Sequence, residues 1–194
     1  MHLRKTIISR VVLALAVVTI FAFTSAHAAP ITYSVTLNGA SEVPANASPG
    51  IGVATVIVDP VLHKLSINVT FSGLLGTTTA SHIHAATSAP LSGTAGVATT
   101  TPYFAGFPIG VTSGSYSNTL DMTLASSYNP AYVAAHGGTM TQAETDLFAA
   151  IAAGKAYLNI HSQFATGGEI RGFLIPEAVA TEPSTWGSIK ALYR

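Results

Sequence analysis

The sequence predicts an all-β fold, an antiparallel Greek-key-like β-sandwich or flattened barrel with one short helix. Three observations carry this. Several short stretches alternate apolar and polar residues with the period of a half-buried strand. Asn-Gly, Pro-Gly and Asp-Pro turns separate them. One segment alone has helical periodicity.

Residues 31–37 (ITYSVTL) alternate and end at Asn38-Gly39. Ser48-Pro-Gly50 marks a turn before a strand at 52–58, and Asp59-Pro60 opens the next. Residues 64–71 alternate again, with Leu65, Ile67, Val69 and Phe71 on the inner face. The segment around His82-Ile83-His84 reads as a strand. Residues 87–114 are rich in Gly, Pro and Thr, and 99–108 is expected to form irregular loop and short strand whose aromatics cover an edge of the core. Residues 115–124 should be another strand. Thr141 and Glu144 fit a capping box, Ala143, Leu147, Ala150 and Ile151 recur at helical spacing, and Gly154 supplies a stop. The expected helix, 141–153, covers an open end of the sheet and leads into a strand over 156–161.

The first 28 residues read as a secretory signal. Arg4, Lys5 and Arg10 are its basic region, and 11–23 is an apolar run too short to span a bilayer comfortably. Ala26-His27-Ala28 is a small-x-small cleavage site, so Ala29 is the expected mature N-terminus. Cleavage leaves no stable membrane span. Three of the eight basic residues leave with the signal and all eight acids stay, so the exported chain is weakly acidic. That argues against nucleic acid, where basic contacts to phosphate dominate, and against docking on anionic lipid. There is no cysteine. An exported protein without disulfides must be held by its core, helped or not by a metal. Charged residues make up 8% of the chain, and Ser, Thr, Gly, Ala and Asn fill the surface instead. Such a surface suits neutral polar partners.

Seven histidines are present, and three fall in two strand-like patches. Alternation puts His82 and His84 on one face of their strand, opposite Ile83. It puts Asn159 and His161 on one face of theirs, opposite Leu158 and Ile160. If these strands are neighbours, three imidazoles converge. A His-x-His pair plus a third histidine is a recognised way to hold copper or zinc. Glu169 and Arg171 share a face of the following strand. Glu169 could be a fourth ligand or orient a histidine from behind. The plainer alternative leaves the histidines on a polar strand face, hydrogen-bonded to Asn159, Glu169 or backbone. Glu169 and Arg171 would then be a surface pair, unless Arg171 reaches Glu42 and ties the first turn to the last strand.

Signs of catalysis are lacking in the sequence. There is no cysteine nucleophile and no Gly-x-Ser-x-Gly elbow. Glu42, Asp59, Asp121, Glu144, Asp146 and Glu169 are scattered, unlike the paired carboxylates of a glycosidase. No glycine-rich phosphate loop precedes a helix.

Leu37-Asn-Gly-Ala-Ser-Glu-Val-Pro44, then Ala80-Ser-His-Ile-His84, then Ala156-Tyr-Leu-Asn-Ile-His-Ser162 with Gly167-Gly-Glu-Ile-Arg-Gly172, resemble in their order the CHRD domain family, named after chordin. The resemblance covers 31–175. The stretch 98–114 is similar to the exported bacterial branch of that family. It implies an extracytoplasmic module of undefined activity; chordin's antagonism of bone morphogenetic proteins does not transfer to a bacterial chain. Copper–zinc superoxide dismutase is similar in outline, a sandwich with a His-x-His strand, but needs more histidines, an Asp for zinc and a disulfide. Near the end, Glu182-Pro-Ser-Thr-Trp186 resembles the start of a PEP-CTERM sorting signal. Thr181 stands where its first proline is expected, and 187–194 cannot span a membrane. A truncated signal is expected, with release into periplasm or medium rather than anchoring at the surface.

The expected organisation is therefore a signal peptide at 1–28, a CHRD-like β domain at 29–175 and a flexible tail at 176–194. The expected function is a non-enzymatic binding or structural module, secreted, periplasmic or at the cell surface, contacting exopolysaccharide or other surface proteins. The alternative is a copper- or zinc-binding metalloprotein using His82, His84 and His161, with Glu169 beside them.

Overall fold

The alternating stretches become strands of one antiparallel sheet in the computed structural model, which describes residues 29–177. The expected signal peptide, and residues 178–194 of the expected tail with its sorting motif, lie outside the described residues. The strands are β1 (Ile31–Asn38), β2 (Ile51–Asp59), β3 (Lys64–Ser72), β4 (Thr78–His84), β5 (Gly114–Asp121), β6 (Tyr157–Ser162), β7 (Ile170–Phe173) and β8 (Ile175–Pro176). Their order is β4-β6-β7-β1-β2-β3-β5, with β8 beside β1, and the sheet curls into a half-barrel.

The meander β1-β2-β3 follows from the pattern. Val35 faces Ala54, and Val56 faces Ile67 in the register, so each inner position meets another. Leu65 and Ile67 are fully buried. Each such aliphatic side chain contributes roughly 1.5–3 kcal/mol of burial. Asp59 makes the β2–β3 turn: its Oδ1 accepts the amides of Val61 (3.0 Å) and Leu62 (2.9 Å).

From β3 the chain crosses to the far end of the sheet to form β4, then returns through a long irregular segment to β5. That segment partly closes the half-barrel. Thr78 N–H donates to Val111 O (2.8 Å), Gly110 N–H to Thr78 O (2.9 Å) and Phe104 N–H to Ser81 O (3.1 Å). Phe104 and Phe107 are buried there against Tyr116 and Phe71, as the sequence led us to expect. β5 stops at Asp121, short of the expected 124, because the Asp121 carboxylate accepts the Thr123 amide (3.0 Å) and turns the chain.

The helical region differs from the expectation of one helix. There are two, α1 (Pro130–Ala135) and α2 (Met140–Ala152). Asn129 Oδ1 caps α1 by accepting the Ala131 amide (3.0 Å), with Pro130 in the first turn. The Asn-Pro signature was legible but the helix is too short to show periodicity. α2 begins before 141, and its cap is Thr139, whose Oγ1 accepts the Gln142 amide (3.2 Å). Thr139-x-x-Gln142 has the same box pattern, two residues ahead of Thr141. Glu144 is thereby released from capping and bonds His63 Nδ1 (2.9 Å). Ala143, Leu147, Ala150 and Ile151 do form the buried stripe of α2.

The domain also runs slightly past 175. Pro176 pairs with Tyr33, and Glu177 N–H donates to Thr32 O (2.9 Å). Among the described residues no helix is long and apolar enough to cross a membrane.

Candidate metal centre

β4 and β6 are hydrogen-bonded neighbours, with His82 opposite Asn159, Ala80 opposite His161 and His84 opposite Tyr157. The condition for convergence is therefore met. Ile83, Leu158 and Ile160 face the core and are fully buried. His82, His84, Asn159 and His161 face the other way, onto the outer surface of the sheet. Along β1, β2 and β3 that surface meets solvent at Ser34, Thr36, Val53, Asn68 and Thr70. Over β4 and β6 it does not. His82, His84 and His161 are only 5%, 8% and 8% exposed, and Asn159 is 2%.

Two loops supply the cover. Residues 93–96 are tied down by Ala85 N–H to Gly96 O (3.1 Å) and Arg171 Nη1–H to Gly93 O (3.1 Å). The turn after β6 brings the Thr166 carbonyl to His161. The cover also fixes the histidines. His84 Nδ1 lies 2.8 Å from Ala95 O, and His161 Nδ1 lies 2.9 Å from Thr166 O. A carbonyl can only accept, so both Nδ1 atoms carry the proton and both Nε2 atoms present a lone pair. Those Nε2 atoms, with His82 Nδ1, are buried without a hydrogen-bond partner.

The three rings are close. His82 lies 4.8 Å from His84 and 4.6 Å from His161, centroid to centroid, and His84 is 6.0 Å from His161. One ring nitrogen from each lies within 4.8 Å of the others. His84 stacks on Tyr157 at 4.6 Å, and the Arg171 guanidinium lies 4.6 Å over the same tyrosine ring. Burial lowers the His82 pKa to about 3, helped by His161 and His84. Burial likewise lowers His84 to about 4, against its bond to Ala95 and with help from His161 and Arg171. His161 is lowered by burial too. All three imidazoles are neutral at pH 7, the form that ligates metal.

Glu169 is placed elsewhere. Its carboxylate accepts from Ser48 Oγ (2.6 Å), the Leu75 amide (2.6 Å), the Gly76 amide (3.2 Å) and Ser162 Oγ. The 4.8 Å grouping contains the three histidines without it. Nor is it a surface partner of Arg171, since both are buried. Arg171 instead reaches Glu42, with Nε 3.8 Å from Oε2, and Nε–H donates to Ser41 O. The first turn is tied to the strand that carries Arg171, β7, as that alternative expected.

The fold and site define a class: an antiparallel β domain with three buried, neutral histidines on an outer sheet face. A family model for the CHRD domain matches residues 33–174, and the chain belongs to that family. No curated protein and no solved structure matches it.

Proposed function

We propose that this CHRD domain is an exported, non-enzymatic binding module whose ligand is a copper or zinc ion held by His82, His84 and His161. One observation carries the reading: three buried imidazoles converge from two adjacent strands, and each keeps one ring nitrogen without a partner. Each unpaired buried polar atom costs about 1–3 kcal/mol, which a bound cation would offset. The carbonyls of Ala95 and Thr166 supply the backing that metal-bound imidazoles commonly have. Imidazole suits both copper and zinc. Export rests on the first 28 residues of the sequence.

The test is elemental analysis of the full chain purified without a histidine tag. One copper or zinc ion per chain is expected, lost in His82→Ala/His84→Ala with the circular dichroism of the sheet retained. Sub-stoichiometric metal in the wild type sinks the reading.

A second reading is contact with a neutral exopolysaccharide or surface protein. It is favoured by a shallow outer groove across β1, β2, β3 and β5, where Ser34, Thr36, Thr55, Asn68, Thr70 and Ser117 line up. Co-sedimentation with an insoluble neutral polysaccharide should fall in Thr55→Lys. Retention of the Thr55→Lys variant at wild-type level would exclude that face.

A further inference from the structure

Two more unpartnered atoms lie in the same patch, and both are oxygens. Glu42 is 6% exposed and its Oε1 has no hydrogen-bond partner; Asn159 is 2% exposed and neither does its Oδ1. They adjoin each other. A methyl group built on Gly168 would lie 2.6 Å from Glu42 Oε1 and 2.7 Å from Asn159 Oδ1. Gly168 also has φ +131°, a backbone state that favours glycine, so the residue that shapes this corner has two reasons to lack a side chain.

Asn159 connects the corner to the histidines. It faces His82 across β4–β6, faces Arg171 across β6–β7, and shares its strand face with His161 two residues on. Glu42 is positioned by the end of β1. Asn38 pairs with Arg171, Asn38 Oδ1 accepts the Ser41 amide (2.8 Å), and Arg171 holds the Ser41 carbonyl. The corner thus sets two oxygen acceptors beside three imidazoles, each of which keeps one ring nitrogen without a partner. An ion would engage the nitrogens, and a water on it would bring two O–H donors to a place where two oxygens lack them.

We propose that Glu42 and Asn159 form the oxygen side of the metal centre, accepting hydrogen bonds from a water that completes the ion's coordination and that a small anion can replace. This rests on the three-histidine reading. Three protein ligands plus an exchangeable position is the arrangement of open rather than closed metal sites. Burial pushes the Glu42 carboxyl up to about 7 despite the nearby Arg171, and a cation in the patch would favour its ionised form. Glu42 and Asn159 are positioning residues here, and Glu169, with four donors already on its carboxylate, is not part of the site.

The test uses the full chain loaded with one equivalent of Cu(II) and titrated with azide, read by the copper–azide absorption band and by electron paramagnetic resonance. Wild type should bind azide saturably. Glu42→Gln should weaken copper binding about tenfold or more. It should also tighten azide, because a negative charge beside the entering anion is gone. Opposite shifts of the two constants are not what a merely structural residue produces. Glu169→Gln should leave both constants at wild-type values. If that variant does not fold, Ser48→Ala, which removes one of its partners, takes its place. Copper bound without any azide response, or Glu42→Gln constants equal to wild type, overturns this proposal alone. Absence of stoichiometric copper in the wild type takes the three-histidine reading down with it.

Discussion

Metal-free protein should lose stability steeply as pH falls from about 7.5 to about 5, and bound zinc should abolish most of that loss. The ordinary imidazole value is 6.5, whereas His82 sits at about 3 and His84 at about 4 in the fold. Below 6.5 the unfolded chain binds protons that the folded chain refuses. The stability these residues contribute is therefore present above 6.5 and is lost as pH falls towards their folded values. Each pKa unit is worth about 1.4 kcal/mol, so His82 and His84 each forfeit about 2 kcal/mol by pH 5, and His161 is shifted in the same direction. Glu42 works the other way. Its carboxyl is raised by burial from 4.5 to about 7, so its contribution is present below 4.5 and is lost as pH rises through 7. One carboxyl opposes three imidazoles, and the histidines win. From the pair of His82 and His84 against Glu42 the net loss is about 2 kcal/mol, and His161 adds to it. Calorimetric melts with a chelator should show Tm falling by about 5 °C or more. With one equivalent of zinc engaging the imidazole lone pairs, most of that fall should disappear. A Tm unchanged across this range in chelator would mean that the histidines are solvated and charged as freely as in the unfolded chain.

Much of this was legible from alternation. The inner positions of β1, β2 and β3 read directly from residues 31–37, 52–58 and 64–71, because a one-residue slip would send every apolar side chain into water. Alternation also placed His82 with His84, and Asn159 with His161. It could not place the two strands side by side, since β4 and β6 are separated by a long crossover that carries no pairing signal. Nor could it show that the outer face is covered at this end of the sheet. That depends on where loop 93–96 and the Thr166 turn fold back, which is a tertiary matter. The choice of carboxylate shows the same limit. Glu169 is near His161 in sequence, which makes it the expected companion. But β7 begins only at Ile170, and the turn through Gly168 sends the Glu169 side chain towards Ser48 and the 74–76 loop. Glu42, more than a hundred residues from His161, is brought against Arg171 instead, because Asn38 pairs with Arg171.

Glu169 should accordingly prove a structural keystone. Glu169→Ala is expected to cost on the order of 4 kcal/mol of folding stability. Its carboxylate is fully buried and joins three parts of the fold: the turn at Ser48, the loop at Leu75 and Gly76, and the end of β6 at Ser162. Its backbone carbonyl accepts Asn46 Nδ2–H (3.0 Å), a bond that truncation would leave in place. Alanine deletes the common acceptor and leaves two amides and two hydroxyls to find others. An unsatisfied buried donor costs about 1–3 kcal/mol, and some of the four will recover water. The carboxylate's own titration points the same way. Burial opposes its ionisation, yet the bonds from Ser162, Ser48, Leu75 and Gly76 outweigh burial and hold its pKa below the usual value. Its contribution is thus present above the unfolded value of 4.5 and is lost as pH falls through the folded one. Urea unfolding at neutral pH, with chelator present, measures the cost without interference from metal. A difference below about 1 kcal/mol would mean that water fills the site as well as the carboxylate does. A large loss of stability with metal affinity intact would assign Glu169 to holding the sheet end together and not to the histidines.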